Sequence, residues 1–183
     1  MKKTTLRKNL FYLTATAVMV AMGTALSFVT VQIPLGGVII KQFSVWLVTV
    51  YLVSIICGPL YGMAAGFLCD LFSTLLNPAG GGYNPFFAAA HIIAPVVIWL
   101  IYAVAFKKVK SVFVKIPVTV AVTQALVYLP INTFLIWYFY SSKGFFELLA
   151  TRSLSLIIEI PVFTALLFAL VPLANKLAGK IVK

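Results

Sequence analysis

Acidic residues are nearly missing from this chain: three, Asp70, Glu147 and Glu159, stand against fourteen lysines and arginines. Histidine occurs once, at His91, and cysteine twice, at Cys57 and Cys69. Donors this sparse give no metal-ligand spacing and no second histidine for acid–base work. A Gly-x-Ser-x-Gly elbow, a His-Glu zincin pair and a Gly-x-x-x-x-Gly-Lys-Ser/Thr phosphate loop are also lacking. Asp70 and Glu159 are the one imaginable carboxylate pair, and nothing in their flanks supports hydrolysis. The sequence therefore predicts no enzyme, no catalytic residue, no metal and no cofactor. Charge of either sign is scarce too: charged residues make up 9% of the chain, where a soluble domain carries roughly 25%.

What fills the chain instead is apolar. It is 63% hydrophobic with a mean hydropathy of +1.12. Runs near the ~20 residues a bilayer needs fall at about 10–29, 41–57, 60–77, 86–106, 116–140 and 148–173. The expected fold is an all-α integral membrane protein of six transmembrane helices, in a single domain over residues 1–183. The run 10–29 follows Lys2, Lys3, Arg7 and Lys8 and so resembles a signal peptide. It exceeds the roughly 7–15 residues of a signal core and no good cleavage site follows, so it reads as a retained first helix. The net charge of +11 does not imply nucleic acid, because the basic residues sit at helix ends. With both termini in the cytoplasm, eleven of the fourteen basic residues are inside. Lys41, Lys143 and Arg152 are left on the outer side. A multi-pass protein of the cell membrane, bacterial in type, is expected.

The stretch 57–85, CGPLYGMAAGFLCDLFSTLLNPAGGGYNP, organises the rest. Gly58-Pro59 reads as a tight turn between two helices. Asp70 falls roughly 15 Å into the second of them, where a charge should face the protein interior with a partner. The loop 77–85 has three successive glycines followed by Tyr83, Asn84, Phe86 and Phe87, which offer ring faces and an amide. His91 is either a satisfied core histidine or a ligand contact. Asn132 lies beside Pro130, which should kink its helix. Arg152, Ser155 and Glu159 follow spacings of three and four and share one helix face. Lys41, beside Gln42, and Arg152 are either snorkelling cations or ligand contacts. Glu159 is a ligand contact or one half of an internal latch. Ala17, Ala21 and Ala25 form a small-residue stripe, suited to internal packing or to docking of a separate membrane subunit. The polar residues concentrate on the outer half, so a pocket open to the outside and lined by aromatics and two cations fits a small anionic or aromatic solute.

The whole chain resembles the substrate-capturing S component of an energy-coupling factor (ECF) vitamin transporter. The resemblance rests on its length and spans, the alanine stripe and the long apolar first outer loop. It rests also on GPLYGMAAGFLCDL, similar to the family's Gly-Pro…Gly…Gly…Asp-Leu segment, and on the ending LLATRSLSLIIEIPVFTALL. GGGYNPFF is most like the Gly-rich aromatic loop of the folate family. Lys41, Asp70 and Arg152 match that family's basic residue opening span two, its span-three aspartate and its span-six arginine. YNPFFAAAH departs from the commoner Tyr-Phe-Pro-Gly-Phe-Thr pattern, and Lys41-Gln-Phe from an Arg-x-Gly-Phe type. The resemblance implies a subunit that binds folate or a related vitamin outside the cell. It would dock on a membrane scaffold (T) subunit with two cytoplasmic ATPase subunits. Pantothenate, riboflavin and cobalamin are the alternative ligands, and a self-sufficient proton-coupled carrier is the alternative class.

Overall fold

The computed structural model describes residues 2–35, 38–76, 83–109, 111–141 and 143–181, with backbone alone for 2–5, 30–44, 177 and 180–181. The chain runs α1 (Lys2–Leu26), β1 (Thr30–Leu35), β2 (Val38–Ser44), α2 (Leu47–Ile56), α3 (Pro59–Leu76), α4 (Pro85–Trp99), α5 (Val112–Thr123), α6 (Leu129–Tyr140), α7 (Phe145–Ser153) and α8 (Leu156–Ile181). Two π-helical segments, Leu100–Ala105 and Gln124–Tyr128, extend α4 and join α5 to α6.

Three expectations change. First, five helices are long and apolar enough to cross a bilayer, and α2 is a shorter apolar helix. At ~1.5 Å per residue, α2 covers about half of a ~30 Å hydrocarbon core. Its residues Val48 to Ser54 are all buried, so α2 is an inner helix enclosed by the others. Second, the helical fold carries one small two-stranded sheet. The connection between α1 and α2 forms an antiparallel hairpin in which Gln32 faces Gln42 and Ile33 faces Lys41, with an irregularity where Pro34 interrupts the ladder. Lys41 thus belongs to a strand and not to the start of a helix. Third, the span drawn at 148–173 is broken. α7 ends at Ser153 and α8 starts at Leu156, so Arg152 and Glu159 sit on two helices joined at Ser155.

The turn between α2 and α3 forms as its residues require. Gly58 takes φ +98°, a region open to glycine, and Pro59 is the first residue of α3. α3 then packs against α4 at backbone distance. Pro95 has no N–H to give the His91 carbonyl one turn back. Gly66 seats on that carbonyl, and a Cβ there would overlap the oxygen. Gly62 lies on Pro95 and Ser54 in the same way. On the other side, Gly23 of α1 faces Thr49 and Cys69, where a Cβ would come within 2.6 Å of Thr49 Oγ1 and 2.8 Å of Cys69 Sγ. Small residues therefore bring α1, α2, α3 and α4 into close contact.

Candidate functional site

Asp70 is buried on α3, and the neighbouring helix supplies its partner: His91 Nε2 lies 3.6 Å from Asp70 Oδ1. Gly66, one turn before Asp70, sets this distance by letting α3 lie on the His91 backbone. The imidazole is flanked by two rings, Trp46 at 4.8 Å and Tyr128 at 5.4 Å between centroids. Trp46 is the residue just before α2, placed there by the hairpin. Tyr83 interacts electrostatically with Asp70. Partial burial, and then the Asp70 carboxylate, push its phenol above the ordinary range.

Asn84 caps α4, accepting from the Phe86 N–H at 3.1 Å, and its amide donates to the Tyr140 hydroxyl at 3.5 Å. That cap starts the helix that carries His91. Phe87 meets Tyr140 at 6.1 Å. Phe86 turns outward, 58% exposed and stacked on Phe139, and does not join the buried group. Tyr138 and Tyr140 are exposed beside it, as interfacial aromatics are. Asn132 is half-buried on α6, and its Oδ1 has no hydrogen-bond partner among the described residues.

Arg152 is buried at the last turn of α7, and α7 lies against β2. The side chains of Lys41 and Gln42 fall outside the described residues, but their strand runs beside the helix of the arginine. Ser155 is fully buried and its hydroxyl donates to the Arg152 carbonyl at 2.7 Å, closing the α7–α8 junction. Glu159 is buried one turn into α8 and interacts electrostatically with Arg152. Arg152 Nε has no hydrogen-bond partner among the described residues. Lys143 pairs with Glu147 at 3.6 Å on the surface, apart from this group.

The structure thus gathers Asp70, Tyr83 and His91 in one place, and Arg152, Ser155 and Glu159 in another. The loop residues 77–82 lie outside the described residues. Sequence reasoning missed Trp46, Tyr51, Thr123 and Tyr128 as members of this interior. One signal was present: Gln124, Tyr128 and Asn132 recur every four residues on one helix.

With this geometry in view, the family comparison is decisive. The family model described as the ECF transporter, substrate-specific component, matches residues 13–174. The chain belongs to that family. Comparison with curated proteins gives no match. Among solved structures the chain is similar to the crystal structure of FolT bound with folic acid, with a TM-score of 0.68 and 17% identity over 90% of this chain and 92% of that one. At that identity the likeness shows a shared fold.

In this S component the alanine stripe does not pack internally. Ala17, Ala21 and Ala25 are exposed, while Thr16, Val20, Gly23 and Thr24 take the inner face of α1. The hydroxyls of Thr16 and Thr24 donate to carbonyls one turn back, at 2.7 and 2.9 Å, which leaves that face free of unpaired donors. Ala17 and Ala21 line an apolar groove of about 780 Å³ between α1 and α3, walled by Leu60, Ala64, Leu68 and Phe72.

Proposed function

We propose that this S component captures folate, or a related flat vitamin with an anionic tail, at the outer face of the cell membrane. The reading rests above all on Arg152, a guanidinium buried beside the β2 strand with Nε unpartnered among the described residues. Its planar fork suits a substrate carboxylate, with Lys41 of β2 as a second cation. Trp46, Tyr83, His91 and Phe87 offer ring faces for a flat moiety. Asp70, Gln42, Asn84, Asn132, Ser155 and Glu159 complete the polar lining. Six crossings with both termini inside put this site outside, α2 and the hairpin together making the second crossing. Ala17, Ala21 and Ala25 dock on a membrane scaffold subunit that carries two cytoplasmic ATPases, whose hydrolysis drives release inside.

The test is a binding panel on purified protein with folic acid, riboflavin, pantothenate and cobalamin. Tight binding of folic acid, lost with Arg152→Ala, is expected. Binding of none of the four would overturn the reading.

A further inference from the structure

Four buried polar side chains are given no role above. Tyr51, Thr123, Gln124 and Tyr128 are 0%, 0%, 1% and 2% exposed. The hydroxyls of Tyr51, Thr123 and Tyr128, and Nε2 of Gln124, have no hydrogen-bond partner among the described residues. The four are neighbours. Tyr51 interacts with Tyr128 and lies close to Thr123, though without hydrogen-bond geometry. Gln124 and Tyr128 open and close the π-helical segment between α5 and α6. A π-turn adds one residue to the helix and re-aims the side chains that follow, and such turns recur at functional sites. A buried donor or acceptor left unpaired is costly, because it has given up its water without a replacement. Four at one place burden the empty protein and call for a partner.

The chemistry of that partner follows from the four groups and their surroundings. None of the four is charged. The amide nitrogen donates, and the hydroxyls donate or accept. The ring of His91 stands over Tyr128 and that of Trp46 over His91, so one side of the region is aromatic. The cation Arg152 lies beyond Glu159, which interacts electrostatically with both Arg152 and Tyr51. We infer that Tyr51, Thr123, Gln124 and Tyr128 form the inner floor of the substrate site and read the polar edge of a flat, uncharged heteroaromatic ring whose anionic tail lies toward Arg152. This rests on the capture of a vitamin proposed above and adds which part of it is read where.

The experiment uses the full chain with Tyr128→Phe and Thr123→Val, each of which removes one polar atom at nearly constant shape, and Gln124→Met, which removes the whole amide. Melting temperature without ligand and affinity for folic acid are measured on every variant. Because an unpaired buried group is being deleted, melting should hold or rise. The Kd for folic acid should rise about tenfold per variant, one hydrogen bond of about 1.4 kcal/mol. Affinity for 4-aminobenzoyl-glutamate, which carries the tail without the heterocycle, should not change. A fall in melting temperature that matches the loss of affinity would mean a structural role and overturn the floor, as would an unchanged Kd. If the wild type selects pantothenate or cobalamin, the floor is wrong and vitamin capture stands. If it binds none of the four vitamins, vitamin capture falls and the floor falls with it.

Discussion

A carboxylate in the middle of α3 would be expensive in lipid, and the fold places it inside, 3.6 Å from the imidazole of His91. The depth of Asp70 was legible from its position in an apolar run. Its partner was not, because helix rotation decides which residue of α4 faces it, and spacing alone does not fix rotation. Trp46 and Tyr128 were missed for a related reason: a buried aromatic and an interfacial one look alike in sequence. If the pair couples, Asp70→Asn and His91→Gln should be non-additive in melting by about 0.5–3 kcal/mol, measured as a double-mutant cycle. Strict additivity would mean that the two groups merely lie near each other. Arg152 allows a sharper test. Removing one partner of a desolvated charge pair costs on the order of 2–5 kcal/mol, so Arg152→Ala should weaken folic acid binding roughly thirtyfold or more. Arg152→Lys should recover part of it, because lysine lacks the fork. A latch between Arg152 and Glu159 that never meets ligand predicts instead a lower melting temperature with unchanged affinity.

The helices were mostly legible, and their failures have physical causes. Gly58-Pro59 announced the α2–α3 turn, and the four-residue spacing of Gly62 and Gly66 suits the close packing that the structure shows. The stretch 41–57 is apolar enough to span, yet the strand pairing of 38–44 with 30–35 consumes its first part. Hydropathy cannot separate a short inner helix from one long enough to span by itself. Likewise the face shared by Arg152, Ser155 and Glu159 assumes an unbroken helix, and the chain turns at Ser155 instead. Pro130 is the second residue of α6, just past the π-helical segment that ends at Tyr128, so the hydrogen bond it forgoes falls where the ladder is already widened. Gly66→Ala tests the packing at this scale. Its methyl would press on the backbone of His91, which cannot swing aside, so a loss on the order of 1–3 kcal/mol is expected in thermal unfolding. Gly179→Ala, with open space around it, should cost nothing and serves as the control. Equal melting of the two variants would refute the α3–α4 seat.

At the scale of the whole molecule, the charge asymmetry carries the proposed orientation and the exposed small-residue stripe the proposed docking. With Cys57 and Cys69 replaced, Lys143→Cys should react with an impermeant maleimide from outside and Lys108→Cys only from inside. The reverse pattern would invert the topology. Ala21→Trp fills the groove between α1 and α3 without entering the interior, so it should leave folic acid binding nearly intact and abolish uptake. Equal loss of both would make the stripe part of the binding fold. The central claim is that this chain binds its vitamin alone but moves it only with an energy-coupling module. Folic acid accumulation in proteoliposomes tests it directly, with the chain alone and then with the scaffold and ATPase subunits plus ATP. The account predicts saturable binding without accumulation in the first case and ATP-dependent accumulation in the second. Accumulation by the chain alone under a proton gradient would contradict it.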